Sequence, residues 1–105
     1  MNSTNEIFLK IKISVLSTEP NAIIMIYGSY ARGEQKSDSD LDVLILLDNP
    51  KITHDIEKKI KYPLYDIEFD TGLIISPLVF SKKDWETRHK ITPFFENVTN
   101  EGIIL

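Results

Sequence analysis

Ile24-Met25-Ile26-Tyr27-Gly28-Ser29-Tyr30-Ala31-Arg32-Gly33, followed by Ser37-Asp38-Ser39-Asp40-Leu41-Asp42-Val43-Leu44, is the stretch that decides the fold. An apolar run ends in a Gly-Ser turn, a short helical segment follows, and a second apolar run opens with alternating aspartates. Ala22 to Tyr27 and Leu41 to Leu47 are nearly continuous in apolar residues, the pattern of strands buried on both faces. Asp48-Asn49-Pro50 stops the second of them. Alternate residues of a strand face the same way, so Asp40 and Asp42 point together. Two such carboxylates disfavour each other's ionisation. A divalent cation removes that penalty, and hard oxygen ligands suit magnesium.

Gly28 complements the pair. A glycine at a strand end lets backbone N–H groups approach a phosphate without a Cβ in the way, and the Ser29 hydroxyl adds a further donor. Together these parts would hold a nucleoside triphosphate and its metal at the strand ends. In-line attack on the α-phosphate, with pyrophosphate leaving, needs mostly positioning and charge neutralisation. A lone Gly-Ser turn is a loop in most proteins, and a lone Asp-x-Asp is a solvated strand end. The specific signal is their placement at strand ends on either side of one short connection.

Outward from this stretch, Ser3-x-x-Glu6 reads as a capping box. Ile7, Phe8, Ile11, Val15 and Leu16 recur at helical spacing, so an amphipathic helix is expected over residues 4–18, ended by Pro20. Residues 51–71 admit two readings. Ile52, Ile56, Ile60, Leu64 and Ile67 follow a helical period with Gly72 as its C-terminal cap, and Pro63 implies a kink or two helices meeting. The rival takes Tyr65 to Phe69 as an alternating strand with a hairpin at Asp70-Thr71-Gly72; the helix is preferred. Leu73 to Phe80 reads as a strand that Pro77 confines to an edge or a bulge. Ser81 caps a short helix carrying Trp85, and Thr92-Pro93 opens another carrying Phe94, Phe95 and Val98. The expected order is helix, strand, strand, helix, strand, helix, helix: a mixed α/β fold in one domain spanning residues 1–105.

The chain is 42% apolar and 27% charged with a net charge of -4, so general affinity for nucleic acid through phosphate neutralisation is not expected. It has no cysteine, which excludes disulfides and thiolate metal sites. The N-terminus lacks the basic start and apolar run of a signal peptide, and no apolar stretch is long enough to cross a bilayer, so a cytoplasmic location is expected. His54 and His89 lie far apart without a partner at ligand spacing and read as surface residues. Lys58, Lys59 and Lys61 read as a solvated helix face, as do Lys82, Lys83, Arg88 and Lys90. Trp85, Phe94 and Phe95 read as core.

Gly28-Ser29-x-Ala31-Arg32-Gly33, five residues, then Ser39-Asp40-x-Asp42 resembles the signature of the DNA polymerase beta superfamily, and within it the minimal nucleotidyltransferase (MNT) proteins. Ser76-Pro77-Leu78-Val79-Phe80-Ser81-Lys82-Lys83-Asp84-Trp85 and Asn100-Glu101-Gly102-Ile103-Ile104-Leu105 are similar to the C-terminal half of that group. The resemblance implies that Asp40 and Asp42 are catalytic, metal-binding carboxylates and that Gly28 and Ser29 hold the triphosphate. Arg32 matches a family position, where it either approaches phosphate or has a helix-surface or structural ion-pair role. The superfamily's third carboxylate would fall at Ser76, which can neither carry the charge nor serve as a comparable base. Asp66 or Glu68 would substitute only if Tyr65 to Phe69 were a strand. The resemblance further implies a magnesium-dependent transfer of AMP from ATP to a tyrosine hydroxyl on a HEPN-type partner protein, an antitoxin role. The alternatives are a weakened module that neutralises its partner by binding alone, or transfer to a small molecule.

Overall fold

The computed structural model describes residues 3–105. Helix α1 (Thr4–Thr18) begins where Ser3 Oγ accepts the Glu6 N–H at 3.2 Å, and its Ile7, Ile11 and Val15 are buried. It leads into β1 (Ile23–Tyr27), the single-turn helix α2 (Ser29–Arg32) and β2 (Leu41–Leu47). Helix α3 (His54–Thr71) follows, capped by the Thr53 hydroxyl and closed at Gly72. Strand β3 (Ile75–Ser81), helices α4 (Lys82–Thr87) and α5 (Pro93–Glu101), and strand β4 (Ile103–Ile104) complete the chain.

The four strands form one mixed sheet in the order β3-β2-β1-β4. β1 is antiparallel to β2 and β4, whereas β2 and β3 are parallel, as a connection through a helix requires. The alternation of β2 divides the core. Leu41, Val43, Ile45 and Leu47 pack with Ile7, Ile11 and Val15 of α1 and Ile60 and Leu64 of α3. Leu44 and Leu46 point the other way, against Trp85 of α4 and Val98 of α5. Burial on both faces explains why this strand is apolar apart from Asp42.

Residues 54–71 form one helix, and it continues through Pro63 rather than dividing there. An interior proline costs about 3 kcal/mol, which the full burial of Ile60 and Leu64 on either side of it offsets. The strand alternative for Tyr65 to Phe69 is thereby excluded. β4 was not among the expected strands. Two residues carry no detectable alternation, and their strand character comes from pairing Ile103 and Ile104 with Ile26 and Met25. Leu105 N–H adds a bond to the Ile24 carbonyl at 2.9 Å.

β3 is an edge strand, as Pro77 requires. Leu41 N–H donates to the Ile74 carbonyl at 2.8 Å. In a parallel ladder this turns the amides of Ser76 and Leu78 toward β2 and the nitrogens of Ile75, Pro77 and Val79 outward. Glu68 in the last turns of α3 accepts the Ile75 N–H at 2.7 Å, and Pro77 has no N–H to offer. Among the described residues, no helix is long and apolar enough to cross a membrane.

Candidate active site

The end of β1 meets the start of β2, and their register pairs Tyr27 with Asp42. On the other side of β2, the register pairs Asp42 with Ser76 of β3. Cross-strand partners share a face, so Tyr27, Asp42 and Ser76 form a row across three strands on the side that carries Leu44 and Leu46. Asp40, two residues before Asp42, joins the row: its Oδ2 accepts from the Ser76 hydroxyl at 3.4 Å. The sequence-level placement of Ser76 beside the Asp-x-Asp strand is therefore the one the fold adopts.

Gly28 lies at the end of β1 with φ 74° and ψ -151°, a region essentially restricted to glycine. A Cβ built there would overlap Asp42 Oδ2. The glycine thus makes room for a carboxylate as well as freeing the turn's backbone. Ser29 follows immediately as the first residue of α2, and the amides of Ala31 and Arg32 return to the Gly28 carbonyl at 3.1 and 3.2 Å.

The Asp42 carboxyl has its pKa raised above the ordinary value. Partial burial is the main cause, the neighbouring Asp40 charge adds to it, and Arg32 opposes both. The donor set fits a hard divalent cation: two carboxylates converge where a second negative charge is disfavoured, and neutralising them would relieve that cost. The fit extends to two acidic groups. Among the described residues, no set of three or more His, Cys, Asp or Glu side chains is arranged to hold a metal. Asp66 is an exposed residue of α3, and Glu68 is engaged with the Ile75 amide at the outer edge of β3.

Arg32 is held in two ion pairs. Its Nε lies 2.6 Å from Glu34 Oε1 and a terminal nitrogen 3.0 Å from Glu101 Oε1, the latter tying α2 to the end of α5. Of the two histidines, His54 is exposed at the start of α3. His89 departs from the surface expectation: it is half-buried, its ring 4.4 Å from Phe80.

Tyr27 was not singled out in the sequence, because only the β1–β2 register puts it beside Asp42. Burial, then the Asp42 charge, push its phenol up to about 12 from 10. At neutral pH the group is a hydrogen-bond donor and not a base. The raised value makes stability pH-dependent, since the unfolded chain ionises this phenol near pH 10 and the folded chain only near 12. The neutral phenol's contribution is fully present below pH 10 and lost as pH rises toward 12. Tyr27→Phe is expected to lie close to wild type at neutral pH and to become more stable than wild type by up to about 2 kcal/mol near pH 12. Urea titrations across that range measure the difference, and a pH-independent offset would contradict it.

Comparison with known proteins agrees with this geometry. A family model described as a nucleotidyltransferase domain matches residues 9–99. A Methanocaldococcus jannaschii protein, provisionally named a protein adenylyltransferase, is 33% identical over 81 residues, covering 76% of this chain and 74% of that one. Among solved structures, a chain from the crystal structure of a toxin-antitoxin with AMP-PNP superposes with a TM-score of 0.63. At 13% identity, over 97% of this chain and 72% of the other, that likeness concerns the fold. With the family match spanning almost the whole chain and the carboxylate pair standing at the glycine turn, the chain belongs to the nucleotidyltransferase family, in its minimal form.

Proposed function

We propose that this single-domain chain binds ATP with magnesium and transfers AMP to a hydroxyl group of a partner protein, with pyrophosphate released. The observation that carries it is the convergence of Asp40 and Asp42 beside the Gly28 turn, within a nucleotidyltransferase fold. Asp40 and Asp42 would hold the metal, which when bound neutralises charge on the phosphates. Gly28 leaves the turn open to the triphosphate, the Ser29 hydroxyl donates to it, and Arg32 contributes positive charge at the end of α2. The acceptor oxygen bonds to the α-phosphorus as the bond to the bridging oxygen breaks, and the acceptor proton leaves to a base. The name of the archaeal relative supports a protein acceptor. The toxin-antitoxin neighbour supports a toxin as partner; a HEPN-type protein in the cytoplasm is our candidate for it.

The test is label transfer from α-phosphate-labelled ATP to the co-purified partner. Wild type is expected to label it, and Asp40→Asn with Asp42→Asn to reduce labelling by about 10³-fold or more. Equal labelling by both proteins would sink the proposal. A second reading, neutralisation by binding alone, is favoured by the serine at position 76 and the lack of a third acidic group among the described residues. Calorimetry separates them: a pure binding module would engage its partner yet give no heat with ATP and magnesium.

A further inference from the structure

Two carboxylates are few for a cation that takes six oxygen ligands. The position best placed to add a third is filled by a hydroxyl. Ser76 is the register partner of Asp42 and shares its sheet face, while its Oγ contacts Asp40 Oδ2. It is therefore the cross-strand neighbour of one member of the pair and in side-chain contact with the other. At 3.4 Å the contact is longer than a strong O–H···O bond, so the hydroxyl orients Asp40 without locking it. Being neutral, it adds a dipole and no charge. On the far side of the pair, Gly28 leaves Asp42 the space a side chain would fill, so Asp42 is placed by the turn and Asp40 by Ser76.

Electrostatics gives this arrangement a consequence. Attraction for a divalent cation grows with the number of negative groups, and a pair with one member, Asp40, exposed to water holds it weakly. A nucleoside triphosphate brings further negative oxygens to the same place.

We propose that Ser76 is a positioning residue for Asp40, and that its neutrality leaves the carboxylate pair with weak affinity for a free divalent cation, so that metal is retained only together with the nucleotide. This rests on the assignment of Asp40 and Asp42 as metal ligands.

The probe is Mn²⁺, followed by electron paramagnetic resonance of the free ion, with and without a non-hydrolysable ATP analogue, on folded protein verified by circular dichroism. Wild type is expected to retain Mn²⁺ at least about tenfold more tightly with the analogue than the analogue does alone, and to bind free Mn²⁺ weakly. Ser76→Asp, which adds a third carboxylate, is expected to raise affinity for free Mn²⁺ by about tenfold or more. Ser76→Ala is expected to lower nucleotide-dependent retention about threefold to tenfold, and Ser76→Thr, which keeps the hydroxyl, to restore it. A merely structural role would not make retention follow the hydroxyl. If wild type retains Mn²⁺ with the analogue while Ser76→Asp gains nothing and Ser76→Ala loses nothing, the inference about Ser76 falls and the nucleotidyltransferase proposal stands. If wild type retains no Mn²⁺ with the analogue, both fall.

Discussion

Gly28→Ala is expected to lose about 2 kcal/mol of stability and about two orders of magnitude in nucleotidyl transfer. Two causes act at one atom. With φ 74° and ψ -151° the backbone occupies a region that side chains avoid, and holding a non-glycine residue there costs of order 1–3 kcal/mol. The added methyl would also overlap Asp42 Oδ2, so either the turn or the carboxylate must move. A shift of about 1 Å in a positioned group is enough for a hundredfold loss of rate. Gly33→Ala is the matched control. Its φ of 70° is also positive, but a Cβ there meets nothing within 4 Å. It should cost about 1–2 kcal/mol and leave transfer and metal binding near wild type. Urea unfolding with Mn²⁺ binding on the two variants measures both effects. If the variants behave alike at the site, the contact with Asp42 does not matter.

Trp85→Ala is expected to have the largest effect on stability, about 3–5 kcal/mol, out of the roughly 5–15 kcal/mol typical of a domain. Trp85 is 3% exposed at the centre of the smaller core. Its ring centroid lies 4.8 Å from Phe95, 5.8 Å from Phe94 and 6.2 Å from Phe80, joining α4, α5 and β3. Removing it takes away the ring partner of both Phe94 and Phe95, leaving α5 held by Val98 and by the contact of Phe94 with Tyr27. α5 also carries Glu101, the distant ion-pair partner of Arg32, and leads into β4. The substitution is therefore expected to loosen Arg32 and reduce transfer severalfold, although no atom of Trp85 belongs to the site. Because Trp85 is the chain's one tryptophan, unfolding is followed by far-UV circular dichroism. A loss below about 1 kcal/mol would show that the second layer contributes little to holding the sheet.

The features that were legible in the sequence are those written over short distances. The spacing of Ile7, Ile11 and Val15 marks α1, and Leu41 to Leu47 mark a strand buried twice over. The caps at Ser3, Ser81 and Thr92 each need only a hydroxyl and an amide three residues on, and each forms. The Gly28-Ser29 and Asp40-x-Asp42 elements were equally local. What stayed hidden depends on pairing between distant segments. Tyr27 is half-buried beside Asp42 only because β1 and β2 are in that register. Ile103 and Ile104 form a strand only because the edge of β1 is free. His89 was placed at the surface because its aromatic neighbours Phe80 and Trp85 come from the preceding strand and helix. Ser76 was placed beside Asp42 through family resemblance, which carries register information that a single chain's periodicity lacks.

The outer side of β3 has a consequence for how the molecule behaves in company. The Glu68 carboxylate takes the Ile75 amide, and Pro77 supplies none, so two successive outward positions cannot receive a neighbouring chain's carbonyls. A ladder needs an unbroken series of such donors to grow. This flank of the sheet is accordingly a poor seed for fibres and for accidental pairing between copies, even at high concentration. Glu68, which has no place in the chemistry of the carboxylate pair, thus closes one docking position on this flank of the sheet.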